Sequence, residues 1–479
     1  MEESSGKIFV KRVFGFSMAS WINCLISLVS TPITTALFAP AELGKINLFI
    51  SYANIFIPFV YLGFDQAYIR FFNEPCGRNN SKSLFRLCLN ISIILTLLVS
   101  VFILFAEKTL SSNIVGYESF SIALCLVLYL LATMFLRYTN LKARMENNIL
   151  SYSVQAILST IIIKISFVLV AFVKPEAGVA IEFRSLLLFL LALIFAVKAL
   201  INCRRSKIDK SYKTLRELSK YAIPLFPTVF LVMLNLSLSQ IFLKKYVDYS
   251  MLGIYSNAVT IAGIISILQS GLNAFWTPFV FEYYKEKEKI QKMHHTISFL
   301  LIGLALGITL FQDVIYFILV NEQYWASKAI MPLLLISPVC ETISETLGLG
   351  IEISKKTYLK IPVYLINISV NVLSCIILIP HFGVVGAAAA NALASLSMLV
   401  AKTIIGEHYY KCSDNYLYLI SGMSMLIGIA MLNYFIKSIL IRTSIVLVAL
   451  VVLCIVYKKS LVMLLKNIMS IICPRLMRK

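Results

Sequence analysis

Charged residues are scarce in this chain. Asp, Glu, Lys and Arg make up 14% of the 479 residues, whereas 59% are hydrophobic and the mean hydropathy is +0.86. Soluble domains carry about 25% charged residues, so this composition excludes an ordinary soluble protein. Apolar stretches of about 20 residues, the length that crosses a bilayer, recur from Val13 to Tyr457. The connections between them are too short for a soluble domain, so the chain works within a membrane.

Catalytic and metal-binding motifs are also missing. The sequence has no HExxH, no P-loop and no GxSxG, and no predicted outer loop is long enough for a glycosyltransferase acceptor site. The ten cysteines show no paired spacing, and the adjacent His294 and His295 cannot share one helix face. We therefore expect no catalytic residues, no metal and no cofactor, and a transporter rather than an enzyme.

The basic residues predict the orientation of the chain. Of the 43 Lys and Arg residues, 33 lie in segments on the side of the N-terminus and seven lie on the opposite side. Basic residues mark cytoplasmic loops, so both termini are predicted to be cytoplasmic, and the net charge of +20 requires no nucleic-acid partner. The first span is too long for a cleavable signal peptide. The predicted spans are roughly 13–36, 43–64, 84–105, 118–137, 149–173, 177–200, 221–243, 251–281, 296–320, 328–350, 358–380, 383–405, 416–436 and 441–457.

The second half of the chain repeats the first at an offset of about 208 residues. LGKINLFISYANIFIPFVYLGFDQAYIRFFNE begins at Leu43 and LGIYSNAVTIAGIISILQSGLNAFWTPFVFEYY begins at Leu252, and both reach a glycine about twenty residues later (Gly63 and Gly271). Such repeats are typical of transporters with the substrate path between two halves. We predict an all-α integral membrane protein with two six-helix lobes related by a pseudo-twofold axis. The predicted parts are the first lobe (1–201), a basic cytoplasmic linker (202–219), the second lobe (220–411), and two extra helices with a basic tail (412–479).

Five charged residues within the spans are candidates for a functional site, because intramembrane charges usually face an interior path. At 1.5 Å per residue, Lys164 and Arg184 reach similar depths and form a candidate cationic site for substrate. Asp313, Glu341 and Glu345 are candidates for coupling to H⁺ or Na⁺. Other interpretations stay open: Arg184 at the membrane surface or paired with a carboxylate, Asp313 as a surface residue, and the two glutamates neutralising a base on a facing helix.

Uncharged polar residues also lie within the matching spans of the two halves. Amide and hydroxyl groups suit a sugar-like ligand, although hydrogen bonds between helices are the alternative. The candidates for a polar path are Asn23, Asn47, Asn235, Ser256 and Asn257.

Four segments resemble one known family. They are LGFDQAYIRFFNE from Leu62, YAIPLFPTVFLVML from Tyr221, LGIYSNAVTIAGII followed by FWTP, and IPHFGVVGAAAANALAS from Ile379. Together they resemble the polysaccharide exporter branch of the multidrug/oligosaccharidyl-lipid/polysaccharide flippase superfamily, and most of all its Wzx-type O-antigen flippases. The resemblance covers nearly the whole chain.

The resemblance implies a function in O-antigen and lipopolysaccharide biosynthesis. It implies that the chain moves an undecaprenyl-diphosphate-linked oligosaccharide across the bacterial inner membrane by alternating access, with Lys164 and Arg184 toward the diphosphate. The implied partners are this lipid-linked substrate, membrane lipids, H⁺ or Na⁺, a repeat-unit polymerase and a chain-length regulator. The alternatives are a drug/cation antiporter of the same superfamily and, more remotely, a membrane polysaccharide polymerase or glycosyltransferase.

Overall fold

Helices form all the regular structure in the residues that the structure, a computed structural model, describes. These residues are 18, 21–23, 25–74, 81–203, 212–266, 269, 272, 276, 279, 280, 282, 283, 285–354, 356–436 and 438–472. A helix satisfies its backbone hydrogen bonds internally, which is the requirement that a bilayer core imposes on a spanning segment. The predicted all-α membrane class is confirmed.

Contacts within the chain divide it into two compact units, 1–256 and 257–479. The lobe boundaries predicted from the repeat, including the linker at 202–219, stay a prediction. The first unit contains α1 (Pro40–Tyr61), α2 (Phe64–Phe71), α3 (Ser81–Phe105), α4 (Glu107–Val115), α5 (Phe120–Met145), α6 (Ile149–Val173), α7 (Ala177–Cys203) and α8 (Tyr212–Tyr246); α9 (Tyr249–Ala262) begins in this unit and ends in the second.

Helix α5 lies at the centre of the first unit. It packs against α3, α6 and α7, while α1 packs against α8. The core is apolar and aromatic; Phe49 of α1, for example, meets the edge of Tyr129 of α5 with ring centroids 5.7 Å apart.

The loops predicted to be on the outer side lie together at one end of the first unit. The Glu42 carboxylate accepts a hydrogen bond from the backbone of Ala177 at 2.5 Å, and the Tyr249 hydroxyl lies 3.4 Å from the carbonyl oxygen of Asn113. These residues come from four different predicted outer connections. We call this end the predicted outer end and the opposite one the predicted cytoplasmic end.

The second unit is built around the pair α12 and α14. Helix α10 packs on α12, and α15, α16 and α17 pack on α10. Its helices are α10 (Lys287–Leu310), α11 (Gln312–Leu319), α12 (Met331–Leu347), α13 (Leu349–Ile353), α14 (Lys360–Tyr409), α15 (Tyr416–Phe435), α16 (Ile439–Val456) and α17 (Lys458–Ile472), with 3₁₀ turns at Glu322–Ala329 and Thr357–Leu359.

Positive backbone φ angles mark the sharp breaks in these helices. Leu62 (φ 42°) and Gly63 (φ 81°) separate α1 from α2, and Gly383 (φ 54°) interrupts α14. Glycine adopts such angles readily, because it has no Cβ atom to clash with the backbone. The break at Gly383 coincides with the start of the predicted span 383–405.

Eleven helices of the described residues are long and apolar enough to cross a membrane, and a shorter apolar helix covers Trp21–Leu37. Helix α14 covers two of the predicted spans, so the order of the helices agrees with the order of the predicted spans. The number of fourteen spans stays a prediction. Four of the residues used above lie outside the described part of the chain: Gly271 of the repeat and the basic residues Lys7, Lys11 and Arg12. Residues 204–211 of the predicted linker also lie outside it.

Candidate functional site

The basic pair predicted from the sequence lies in the first unit on two adjacent helices. Lys164 of α6 and Arg184 of α7 lie on either side of the short connection Lys174–Glu176, and α6 packs against α7. Because the two helices run in opposite directions from this connection, the side chains reach similar depths. The two positively charged side chains therefore lie near each other, on adjacent helices.

Arg184 is buried and only partly satisfied. It is 6% exposed, its guanidinium carbon lies 5.5 Å from the centre of the Tyr129 ring, and its Nε has no hydrogen-bond partner among the described residues. The nearby Glu182 is exposed and accepts a hydrogen bond from Ser121 instead. In the part of the chain that the structure describes, neither Lys164 nor Arg184 forms an ion pair. The site therefore holds two cations that interact with each other and lack a carboxylate.

Two of the predicted polar residues form hydrogen bonds to backbone carbonyl groups. Asn47 donates to the carbonyl of Leu43 at 2.9 Å, and Ser256 donates to the carbonyl of Leu252 at 2.9 Å, so both bond within their own helix. Two other residues form a hydrogen bond between α1 and α8: Ser51 donates to Gln240 at 2.8 Å.

The other three polar candidates differ from one another. Asn257, in the second unit, accepts a hydrogen bond from Ser327 at 3.1 Å. The side-chain oxygen of Asn23 is buried and has no partner among the described residues, and Asn235 lies on α8. Their role toward a ligand stays a prediction.

Asp313 is held by two cations near the predicted outer end of the second unit. Its carboxylate bonds to Lys328 at 2.7 Å and to the guanidinium of Arg442 of α16. This arrangement ties the turn after α11 to an extra C-terminal helix. The contacts favour a structural role for Asp313, although its predicted coupling role stays untested.

The two glutamates of α12 have different partners. Glu345 accepts a hydrogen bond from Lys402 of α14 at 2.5 Å, and the Lys402 side chain is only 4% exposed. Glu341 accepts a hydrogen bond from Ser337 at 3.3 Å, and Ser337 lies 2.7 Å from Ser395 of α14. Glu345 thus neutralises a base on a facing helix, which was the alternative interpretation of the pair. Glu341 makes no ion pair with any described residue.

Sequence reasoning missed an ion pair in the first unit, between the buried Asp65 and the partly exposed Arg137. Asp65, 6% exposed, follows the break at Gly63 and accepts hydrogen bonds from Arg137 Nη2 at 2.8 Å and from Gln66 at 2.9 Å. Asp65 lies in the segment LGFDQAYIRFFNE, one of the four that resemble the exporter family. That resemblance was the sequence signal that could have drawn attention to it. The pair fixes α2 against α5 at the predicted cytoplasmic end.

A symmetric glycine contact joins α1 and α9 at the predicted outer end. A Cβ on Gly44 would overlap the carbonyl oxygen of Tyr249, and a Cβ on Gly253 would overlap that of Pro40. The contact is therefore reciprocal: each glycine packs against the carbonyl group that lies four residues before the other glycine. Gly44 and Gly253 follow the leucines that open the two copies of the repeat.

Comparisons with known proteins give a family from the sequence and a fold from solved structures. A family model described as polysaccharide biosynthesis protein matches residues 9–283. A structure of the lipid II flippase MurJ in an inward closed conformation superposes with a TM-score of 0.65 and 14% identity, over 93% of this chain and 99% of that chain. No curated protein matches the chain.

Multidrug transporters share the same fold. An inward-facing MATE family transporter of the MOP superfamily gives a TM-score of 0.56 at 15% identity, over 87% of this chain and 96% of that chain. A MATE transporter from Vibrio cholerae gives 0.59 at 13% identity, over 84% and 98%. At these identities the likeness establishes the fold, and the matched region of the family model covers more than half of the chain.

Proposed function

Because the chain belongs to the polysaccharide biosynthesis protein family, as its sequence motifs predict, we propose that it is a flippase for a lipid-linked oligosaccharide. The substrate is an undecaprenyl-diphosphate-linked repeat unit of O-antigen or a similar surface polysaccharide. It moves from the cytoplasmic to the periplasmic leaflet of the bacterial inner membrane by alternating access. The fold shared with a lipid II flippase supports this proposal.

The observation that carries the proposal is the unneutralised pair Lys164 and Arg184. Each charge within a span costs about 2.5–3.5 kcal/mol on insertion scales. This site holds two positive charges, and no carboxylate of the described residues neutralises either of them. A diphosphate would offset both, because its oxygens accept charge-assisted hydrogen bonds from ammonium and guanidinium groups. The unpartnered Nε of Arg184 provides one donor for such a ligand.

Ion coupling is assigned to Glu341. It lies in α12 with a hydroxyl as hydrogen-bond partner, so it can bind a proton or a sodium ion without breaking an ion pair. Glu345 and Asp313 are less suited to this role, because each already holds a buried or half-buried cation. A repeat-unit polymerase and a chain-length regulator would act on the product of transport.

Transport assays in proteoliposomes test the proposal. Arg184→Gln and Lys164→Gln are expected to lower the rate of transfer of the lipid-linked oligosaccharide at least about tenfold, whereas Lys164→Arg should keep more activity than Lys164→Gln. Lys174→Gln is the matched control, because Lys174 is an exposed lysine of the adjoining connection and pairs with Glu176. Equal rates for the Arg and Gln variants of Lys164 would exclude a charge-based role for that residue.

The drug/cation antiporter is the second candidate, since MATE transporters share the fold. The two functions predict different phenotypes for a deletion strain. A flippase deletion leaves lipid-linked repeat units on the cytoplasmic face and removes the surface polysaccharide. Unchanged polysaccharide together with new sensitivity to cationic drugs would favour the antiporter.

A further inference from the structure

A cavity of about 640 Å³ opens in the second unit, far along the chain from the basic pair. It lies at the predicted cytoplasmic ends of α10, α15 and α16 and beside α17, which packs against α10 and α16. Its walls combine charged, aromatic and apolar side chains. The proposed transport function uses none of them.

The charged side chains of the cavity leave one lysine unpaired. Glu288 bonds to Lys292 at 3.3 Å, and Asp414 bonds to the imidazole of His295 at 2.5 Å. This hydrogen bond from His295 lowers the pKa of the Asp414 carboxyl, which lies in the loop before α15. Lys459, at the start of α17, is exposed and forms no ion pair within the described part of the chain. Both carboxylates thus have a partner of their own, while Lys459 faces the cavity without one.

Basic residues also surround the cavity. A second hollow of about 550 Å³ adjoins it at Glu288 and Lys292 and is lined by the segment Lys285–Lys289 as well. The two hollows together are lined by five lysines and three carboxylates. The combined surface therefore attracts anions.

The floor of the cavity is aromatic. The rings of Tyr418 and Tyr457 lie 5.6 Å apart, and the Tyr457 hydroxyl donates to the carbonyl of Tyr418 at 2.7 Å. The imidazole of His295 lies 5.1 Å from the ring of Tyr418. Tyrosine is enriched where a membrane protein meets the headgroup layer. Val456 and, on α17, Val462 and Met463 add apolar side chains to the lining, which suit contact with an acyl chain.

We propose that this cavity binds the headgroup of an anionic phospholipid of the cytoplasmic leaflet. Basic pockets between helices on the cytoplasmic side of a membrane are suited to anionic headgroups, and each basic residue near the surface adds to the attraction. Lys459 holds the phosphate, and Lys292, although it pairs with Glu288, adds to the positive charge beside it. The tyrosines and α17 contact the glycerol and the first part of the chains. The site is separate from the diphosphate site proposed in the first unit.

Native mass spectrometry of the full-length protein tests this site with two probes, phosphatidylglycerol and phosphatidylcholine. Wild-type protein is expected to retain phosphatidylglycerol preferentially. Lys459→Gln should weaken its binding about fivefold, and Lys292→Gln together with Lys459→Gln about twenty-fivefold. Lys198→Gln, which removes an exposed lysine at the predicted cytoplasmic end of α7, is the matched control and should bind as wild type does.

Two results would overturn the proposal. One is equal retention of the two lipids by the wild type, and the other is unchanged phosphatidylglycerol binding in the double variant. Lys292 and Lys459 are exposed, so these substitutions should leave the fold intact, which size-exclusion chromatography checks. Arg184→Gln separates this site from the transport site, because it should retain phosphatidylglycerol while losing transport. Loss of the lipid in that variant would assign the bound anion to the substrate path instead.

Discussion

The charged side chains within the helices differ in what neutralises them. Lys164 and Arg184 interact with each other and with no carboxylate of the described residues, Asp313 holds two cations, and Glu345 holds one. Glu341 bonds to a hydroxyl. A buried charge with a partner stabilises one arrangement of helices, whereas a charge without one is available for a ligand. This difference separates the candidate binding residues from the structural ones.

The first prediction separates Glu345 from Glu341. Glu345→Gln should lower the free energy of unfolding by about 3 kcal/mol, because it leaves the buried ammonium of Lys402 without a carboxylate. Glu341→Gln should cost less than about 1 kcal/mol, since the amide can still bond to Ser337. It should instead slow transport driven by an ion gradient while sparing exchange of substrate without a gradient. Denaturation in detergent and transport in proteoliposomes measure the two effects.

A double variant provides the control for this prediction. Lys402→Gln combined with Glu345→Gln removes both charges and should recover most of the stability that Glu345→Gln alone loses. Equal stability of the two single glutamine variants would show that the Glu345–Lys402 pair does not hold α12 on α14. Normal gradient-driven transport by Glu341→Gln would remove that residue from coupling.

The sequence predicted which residues are charged within the spans but not their partners. Counting residues from the short connection between α6 and α7 was enough to place Lys164 and Arg184 at one level, because both helices are regular. Lys402 lies three residues before the end of its predicted span at 405, and the sequence does not show that it is buried against α12. Its carboxylate partner lies 57 residues away, and no helical periodicity connects two helices so far apart in sequence.

Helix α1 contacts α9 at its outer end and packs against α8. Its outer end crosses α9 at Gly44 and Gly253, its middle bonds to α8 through Ser51, and at its other end a Cβ on Gly63 would overlap the carbonyl of Ala222. The Leu-Gly repeat predicted that Gly44 and Gly253 are equivalent. It could not predict that they touch, because equivalence in a repeat carries no information about distance.

The second prediction concerns this outer crossing. Gly44→Ala and Gly253→Ala place a Cβ against a backbone carbonyl that cannot move as a side chain can, so the ends of α1 and α9 must separate. We expect slower transport and faster labelling of a Ser51→Cys probe by a thiol reagent that does not cross the membrane. Gly428→Ala is the matched control, because nothing lies within 4 Å of a Cβ at that position. Wild-type labelling and transport in Gly44→Ala would show that the crossing does not control access.

The repeat, the apolar spans and the loop charges together predicted the class of fold. They did so because a bilayer restricts a chain to helices and because each crossing reverses the side on which the next loop lies. The two compact units divide at residue 256, inside α9. The lobe boundaries that the repeat predicts, with a linker at 202–219, stay a prediction. Contacts between α1, α8 and α9 place α8 with the first unit, and such contacts between helices far apart in sequence cannot be read from hydropathy.

The third prediction is the orientation of the chain. In the structure, Glu42, Asn113, Ala177 and Tyr249 of four connections meet at one end of the first unit, so these connections must lie on one side of the membrane. Basic residues are rare in them and abundant in the loops of the other end, which places this end outside. Reporter fusions after Ser111 and Tyr249 should therefore read as periplasmic, and fusions after Asp209 and Lys289 as cytoplasmic. Fusions after Ser111 and Tyr249 that report opposite sides would contradict the fold, because these residues lie at one end of it. A cytoplasmic signal from both would leave the fold intact and reverse the orientation, and the proposed phospholipid cavity would then face the periplasm.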